Sequence, residues 1–431
     1  MSKKLIHSMM AVILAASLLA GCQGSAGNFP SSGAAEGSTS APSATGDALA
    51  DVSGEADSVK ETAESSEKET AENSEKETAE SSEKETAESF EKETAESSEK
   101  ETAESREDSG GLTQVVTDSI GRKVEIPDPV TKAVVANAYN TEIINAIDAL
   151  DYVIGVDYNI YQDKESWKNR YTEDMVIGKS QKDLNYEKIV ELAPEVLILT
   201  GNGTWEEAQK QLEPFGIQVV VCDAYYTDQF EQSCDLLGQI FGKEEEAEEL
   251  KHYFMDKLDY IRKQLKDVEK KPVYFEYRRE GNTTIPGNFF YYMVEYSGAD
   301  NVFKDSANVE VESEAVVAKN PQYIVKVSAP DVYSSYYPPS LEEHQAIKEE
   351  LGARPGWDEI DAIKNDRVLL LSHYVHGGAS KLVGTMYMAK FLYPELLPDL
   401  HPEQVFRDWL EKYQKLEYIE GHTYPAYGFE D

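Results

Sequence analysis

Cysteine is scarce in this chain, with three among 431 residues, too few for the disulfide framework that holds small secreted domains together. No Cys-x-x-Cys pair occurs, so a thiolate zinc site of that spacing is excluded. Histidine is nearly as sparse: there are seven, and one of them, His7, sits in the first apolar segment, which argues against a dedicated three-His zinc centre. Positive charge is also short, 41 Lys and Arg against 81 Asp and Glu for a formal net charge of −40, and such a balance excludes nucleic acid as a partner. The Gly-x-Ser-x-Gly elbow, the P-loop and His-Glu-x-x-His are all missing, so no enzyme reading, catalytic residue or cofactor is expected. No apolar run approaches the roughly 20 residues of a membrane helix.

What is present begins with export. Lys3 and Lys4 precede an apolar run over 9–20, too short to span a bilayer but suited to a signal peptide over residues 1–21. The run closes in Leu19-Ala20-Gly21-Cys22, which resembles the bacterial lipobox. That resemblance implies that the Cys22 thiol receives a lipid and anchors the protein to the outer face of the cytoplasmic membrane, through the lipid only. Of the other two cysteines, Cys222 and Cys234 lie twelve apart across an expected strand-to-helix junction. They read as two buried thiols, with a disulfide as the alternative in an oxidising compartment.

Residues 22–110 form an acidic Ser/Glu-rich stretch with almost no large apolar side chain, a composition that cannot bury enough surface to offset chain entropy. Within it, 60–107 is an octapeptide repeated six times, Lys-Glu-Thr-Ala-Glu-Ser-Ser-Glu, with departures at Asn73, Phe90 and Arg106. Eight residues match neither a heptad nor a solenoid unit. The expectation is a disordered tether of roughly 50 Å root-mean-square span, extended further by like-charge repulsion.

The remaining body carries roughly −25 of the −40 charges and alternates short apolar strands with amphipathic helices, an α/β rhythm. Strands are expected at 133–136, 153–156, 196–199, 219–222, 273–277, 323–326 and 368–371. Two segments repeat one pattern. Asn185-Tyr186-Glu187-Lys188-Ile189-Val190 leads to Pro194 and a strand, and Glu312-Ser313-Glu314-Ala315-Val316-Val317 leads to Pro321 and a strand. The spacing predicts two Rossmann-like lobes, 111–242 and 271–431. They are joined by a single long helix within 243–270, whose Ala247, Leu250, Phe254, Leu258, Ile261 and Leu265 recur at helical intervals over 243–268, with Pro272 as the stop. Ligands of such folds sit at the C-terminal ends of the strands, in the crevice between lobes. A stiff joining helix further predicts small lobe movements on binding.

Three further features complete a resemblance. Asp118-Ser119-Ile120-Gly121-Arg122-Lys123-Val124 is similar to a "D-x-x-G-R-x-V" hairpin, 184–194 and 313–321 to paired "E-x-I-x-x-L-x-P-D" segments, and Arg354-Pro355-Gly356-Trp357 with the following 362–368 to a "P-G-W … A-V-K-N-G-R-V" segment. In this order they resemble the class III periplasmic binding proteins of ATP-driven importers, with Glu195 and Gln322 where that family has Asp. The resemblance implies a monomeric extracytoplasmic substrate-binding lipoprotein. It would deliver a small-molecule metal chelate to an ABC permease, itself dimeric, with its ATPase. A ferric siderophore-like complex ranks first as ligand, corrinoid or haem second, and molybdate or tungstate third; a surface sensor without transport is the alternative role. It also implies that Glu187 and Glu314 dock onto the permease, with a helix-start carboxylate as the alternative role of each.

Candidate ligand residues follow from chemistry. Tyr139, Tyr158, Tyr225, Tyr226, Tyr277, Tyr333, Tyr336, Tyr337 and Tyr374 fall where cleft loops are expected, and a phenol ring offers a flat apolar body with a polar tip. Trp205 is a further stacking candidate. Arg278 and Arg279 follow a strand and could hold carboxylates or an oxyanion. His373 and His376 are the candidates for direct metal contact.

Overall fold

The computed structural model describes residues 112–328 and 336–425; the signal segment, Cys22, the octapeptide repeats and Tyr333 lie outside them. The opening hairpin follows from its turn chemistry. Strands β1 (Thr113–Thr117) and β2 (Lys123–Pro127) pair antiparallel, with Thr117 opposite Lys123. Buried Asp118 accepts from Arg122 N at 2.8 Å and from Arg122 Nη2 at 2.7 Å. Gly121 at φ +81° supplies the left-handed residue of the turn.

Strands β3 (Ala133–Val135) and β4 (Val153–Val156) come next, followed by a two-stranded ribbon of β5 (Gly178–Ser180) and β6 (Asp183–Leu184), then β7 (Val196–Leu199) and β8 (Gln218–Val221). The first sheet runs β4-β3-β7-β8 and is parallel throughout. The second contains β9 (Lys271–Tyr277), β10 (Ala299–Asn301), β11 (Tyr323–Ser328), β12 (Val368–Ser372) and β13 (Thr423–Tyr424), ordered β10-β9-β11-β12-β13. Its β13 alone runs antiparallel.

Every residue of β7 and β12 is buried, because helices cover both faces of a parallel sheet and the strands therefore read as unbroken apolar runs. Alternate side chains serve alternate layers. Ile198 and Phe275 enter the largest hydrophobic cluster, which also takes in Phe254, Leu371 and Trp409. Leu197 and Leu199 face a second cluster with Leu212, and Tyr274 a third with Trp357 and Leu370. The result is a mixed α/β fold with one parallel sheet and a second that is parallel except for β13.

The repeated sequence pattern has a repeated geometry. Helix Tyr186–Leu192 ends at Ala193 with φ 49°, and helix Ser313–Lys319 at Asn320 with φ 43°. Each of these left-handed caps precedes a proline, whose ring disfavours the right-handed helical conformation in the residue before it. Glu195, just after the first of these prolines, bonds through Oε2 to the amides of Thr131 at 2.6 Å and Lys132 at 2.8 Å, tying two strand starts together.

The long helix spans Glu244–Gln264, about 31 Å at 1.5 Å per residue, shorter than the 243–268 expected. Leu265 leaves the helical conformation and sits against Gly298, where an added Cβ would meet its Cδ1 at 2.6 Å. Pro272 lies within β9 and is not the stop. Ala247, Leu250, Phe254, Leu258 and Ile261 are buried as the periodicity requires. Glu244–Glu246 in the first turn and Arg262 and Lys263 in the last complement the helix dipole. Among the described residues no helix is long and apolar enough to cross a membrane.

Candidate functional site

The C-terminal ends of four strands bring one cluster together. β9 ends at Tyr277, and Arg278 follows it at φ 52°, a left-handed conformation unusual for a residue with a Cβ. β12 ends at Ser372, whose side chain caps the 3-10 turn His373–His376. From the first sheet, β3 leads through Asn137, whose side chain caps helix Ala138–Ala146, to Tyr139 and Glu142. β8 leads to Tyr225.

These side chains meet as rings. Tyr139 and Tyr225 lie with centroids 4.6 Å apart, and His376 lies 5.8 Å from Tyr139. His376 stacks on Tyr277 at 5.5 Å and on His373 at 4.8 Å, with interplanar angles of 10° and 20°. Phe289 closes the group, 4.9 Å from Tyr225 and 5.3 Å from His376. The polar tips gather at His373, whose Nε2 lies 3.2 Å from the Tyr277 hydroxyl and 3.0 Å from Arg278 Nη2. Because a guanidinium only donates, this nitrogen accepts and the ring proton belongs on Nδ1. Beneath the rings, fully buried Lys381 of helix Ser380–Leu392 donates to the Tyr225 carbonyl at 2.8 Å, tying that helix to the loop after β8.

Burial dominates the electrostatics. It pushes His373 down to about 3, with Arg278 and Lys381 adding to the effect, and His376 well below the usual histidine range. Both imidazoles are therefore neutral at physiological pH. Burial also lowers Lys381 to about 7 against the pull of Glu142, and raises Glu142 to about 7 against Lys381 and Ser380. Gly377 lies tight against this pair: a Cβ there would fall 2.1 Å from Glu142 Oε1, so the carboxylate would have to move. The exposed Arg278 is thus the dependable cation at the rim. Among the described residues no group of three or more His, Cys, Asp or Glu could hold a metal ion. The imidazole nitrogens and phenol oxygens could instead complete the coordination of a metal already held by a chelator.

Of the expected ligand residues, the fold gathers Tyr139, Tyr225, Tyr277, Arg278, His373 and His376, with half-buried Tyr226 edge-on to Tyr225 at 5.2 Å. Others go elsewhere. Tyr374 points into the core, 5.1 Å from Phe406, because neighbours in a tight turn diverge. Trp205 packs beneath Arg122, 4.4 Å from its guanidinium, over the second hydrophobic cluster. Arg279 pairs with Glu310 at 3.1 Å. Tyr158, 47% exposed, lies tilted against Tyr161 at 5.8 Å and lines a shallow hollow of about 340 Å³ with Lys179 and Asp183, which shares no residue with the ring cluster. Tyr336 donates to the Glu417 carbonyl at 2.8 Å, and Tyr337 to Glu165 at 3.0 Å.

Sequence reasoning missed Phe289, Phe290, Glu142 and Lys381. The aromatic run Phe289-Phe290-Tyr291-Tyr292 is a signal for the first two, and the lone charge of Lys381 in an otherwise uncharged stretch, 380–389, is one for the lysine. Glu187 and Glu314 are exposed in the first turns of their helices. Cys222 and Cys234 are buried free thiols.

Comparison with known proteins adds ancestry to this geometry. The sequence model of the family described as periplasmic binding protein matches residues 134–374, more than half of the chain. The chain is 25% identical over 339 residues to the molybdate-binding protein MolA of Haemophilus influenzae, covering 71% of this chain and 92% of that one. It is 27% identical over 291 residues to the uncharacterized ABC transporter substrate-binding lipoprotein YvrC of Bacillus subtilis, covering 65% and 85%. Among solved structures, MolA bound to molybdate superposes with a TM-score of 0.57 at 23% identity over 71% of this chain and 99% of that one. The TroA-like periplasmic binding protein FepB from Veillonella parvula gives 0.59 at 20% identity over 72% and 98%. At these identities the two structures speak for the fold.

Proposed function

The chain belongs to the periplasmic binding protein family, and from that premise we propose that it captures an oxygen-rich anion where the loops of its two sheets meet and passes it to a permease. It is the extracytoplasmic substrate-binding protein of an ABC importer. The observation that carries the ligand reading is the Tyr277 hydroxyl and the Arg278 guanidinium, both within 3.2 Å of Nε2 of neutral His373. A ligand oxygen arriving there gains the guanidinium fork and a phenol donor without facing a charged imidazole.

Two sources offer that chemistry. One is a free tetrahedral oxyanion, in keeping with the relative named for molybdate. The other is an anionic ferric chelate, whose oxygens would face Arg278 while His373, His376 or Tyr277 approaches the iron. Ring centroids within 4.6 to 5.8 Å across the cluster favour a compact ligand over a corrin or haem plane. Docking would engage Glu187 and Glu314, whose exposure supports it, and Cys22 would carry the anchoring lipid.

Titrating the mature protein with molybdate, tungstate, ferric siderophores, haem and cobalamin while following tyrosine and tryptophan fluorescence separates these sources. Saturable quenching by one anion, weakened in Arg278→Ala, is expected. Tight binding of haem or cobalamin with every anion inert would overturn the reading.

A further inference from the structure

We propose that Lys326 is a positioning residue for Arg278, clamping the turn that presents the guanidinium to the ligand. The inference rests on the reading of Arg278 as a ligand contact. Its starting point is backbone geometry: Arg278 holds φ 52° and Gly281 φ 74°, and the left-handed region is costly for a residue with a Cβ unless its surroundings hold it there.

The hold is visible at both ends of the turn. Lys326 and Glu276 are register partners on parallel strands β11 and β9, and both are buried. Lys326 Nζ donates to Glu276 Oε1 at 2.5 Å and, with a second hydrogen, to the Arg278 carbonyl at 2.8 Å. Glu276 Oε2 accepts from the Gly281 amide at 3.1 Å. One carboxylate-ammonium pair therefore grips the first and last residues of 278–281. Arg354 braces the carboxylate with two bonds, 2.7 and 3.0 Å, and the Tyr274 hydroxyl adds a third at 2.9 Å. This assigns a task to the Arg354-Pro355-Gly356-Trp357 segment, where the Trp357 ring lies 4.5 Å from the Arg354 guanidinium. A buried ion pair repays its desolvation only when further hydrogen bonds satisfy its remaining protons. The bond from Lys326 to the Arg278 carbonyl meets that need and at the same time fixes the backbone of the residue whose guanidinium lies against His373.

The test uses the ligand-free mature protein. ¹⁵N NMR of the His373 imidazole, assigned through His373→Gln, reports whether Arg278 still lies against Nε2. Lys326→Met, which leaves the Arg354–Glu276 pair in place, should move that resonance as far as Arg278→Ala does. The double variant should move it no further, and Lys326→Arg, which keeps a charged donor, should restore it. With molybdate as probe, Lys326→Met and Arg278→Ala should each weaken binding roughly 10- to 100-fold without adding, the non-additivity expected of residues acting through one contact. Should Lys326→Met fail to fold, Lys326→Gln retains a donor stem and takes its place. An unmoved His373 resonance in a folded variant, or additive effects, would overturn the proposal. The NMR arm needs no ligand, so absence of molybdate binding counts against the anion reading alone.

Discussion

Arg278 places its Nη2 3.0 Å from Nε2 of His373, joining the turn after β9 to the turn after β12. The guanidinium is exposed while the imidazole is held neutral by burial, so the positive charge at this point belongs to Arg278. Arg278→Ala should weaken anion binding roughly 10- to 100-fold, the worth of one or two charge-assisted hydrogen bonds. Arg278→Lys should recover only part, because an ammonium lacks the planar fork. Titration at low and high ionic strength checks this: the wild type should lose affinity with salt more steeply than Arg278→Ala.

Glu187 and Glu314 stand in the first turns of two helices that repeat one another in sequence and in cap geometry. Charge reversal of both to Lys should abolish uptake in cells while leaving ligand affinity within about twofold, since docking charges act on orientation and on-rate at the partner. Unchanged uptake with normal expression would remove them from the docking face.

Asp157 is 2% exposed and accepts from the Ile160 amide at 3.1 Å as the cap of helix Tyr158–Gln162. Burial pushes its carboxyl up to about 7, against the pull of the Ile160 and Asn159 amides. With the folded pKa above the unfolded one, its stabilisation is complete below the ordinary value of 3.8 and is lost as pH rises through 7. Asp157→Asn keeps the cap acceptor and should stabilise the protein above pH 7 by something on the order of 2–4 kcal/mol, a gain that vanishes toward pH 4. Urea midpoints across this range decide it.

Trp205 lies against Arg122 and the outer cluster of the first sheet, away from the rings. Trp205→Ala should cost about 1–3 kcal/mol of stability, as expected for a partly buried aromatic, and leave ligand affinity unchanged. A loss of affinity larger than about threefold at full folding would return Trp205 to the ligand site.

Much of the architecture is legible in the residue pattern. The strands β4, β7 and β12 are continuous apolar runs because both of their faces are covered. The long helix announces its stripe from Ala247 to Ile261. The segment that resembles the family's opening hairpin forms one, with Arg122 donating to Asp118 across the turn. Site residues are legible where they end a strand or fall within about four residues of its C-terminal end, as Tyr277, Arg278, His373, His376, Tyr139 and Tyr225 do. Tyr374, one residue after His373, turns inward because a 3-10 turn sends neighbouring side chains apart.

The sequence by itself determined the α/β rhythm, the long helix between two strand-rich halves and the repeated helix-Pro-strand units, because each depends on local periodicity and backbone chemistry. Tertiary structure alone decided which rings meet and which charges are buried. Glu276 and Lys326 sit 50 residues apart in sequence and read as ordinary strand charges until the order β9-β11 makes them register partners. Lys381 stands out as a lone charge in an uncharged stretch, but its place is decided only when its helix packs beneath Tyr225 and Phe289. Burial and pairing are properties of strand order and layer packing, and these are set by contacts between distant segments that no local pattern encodes.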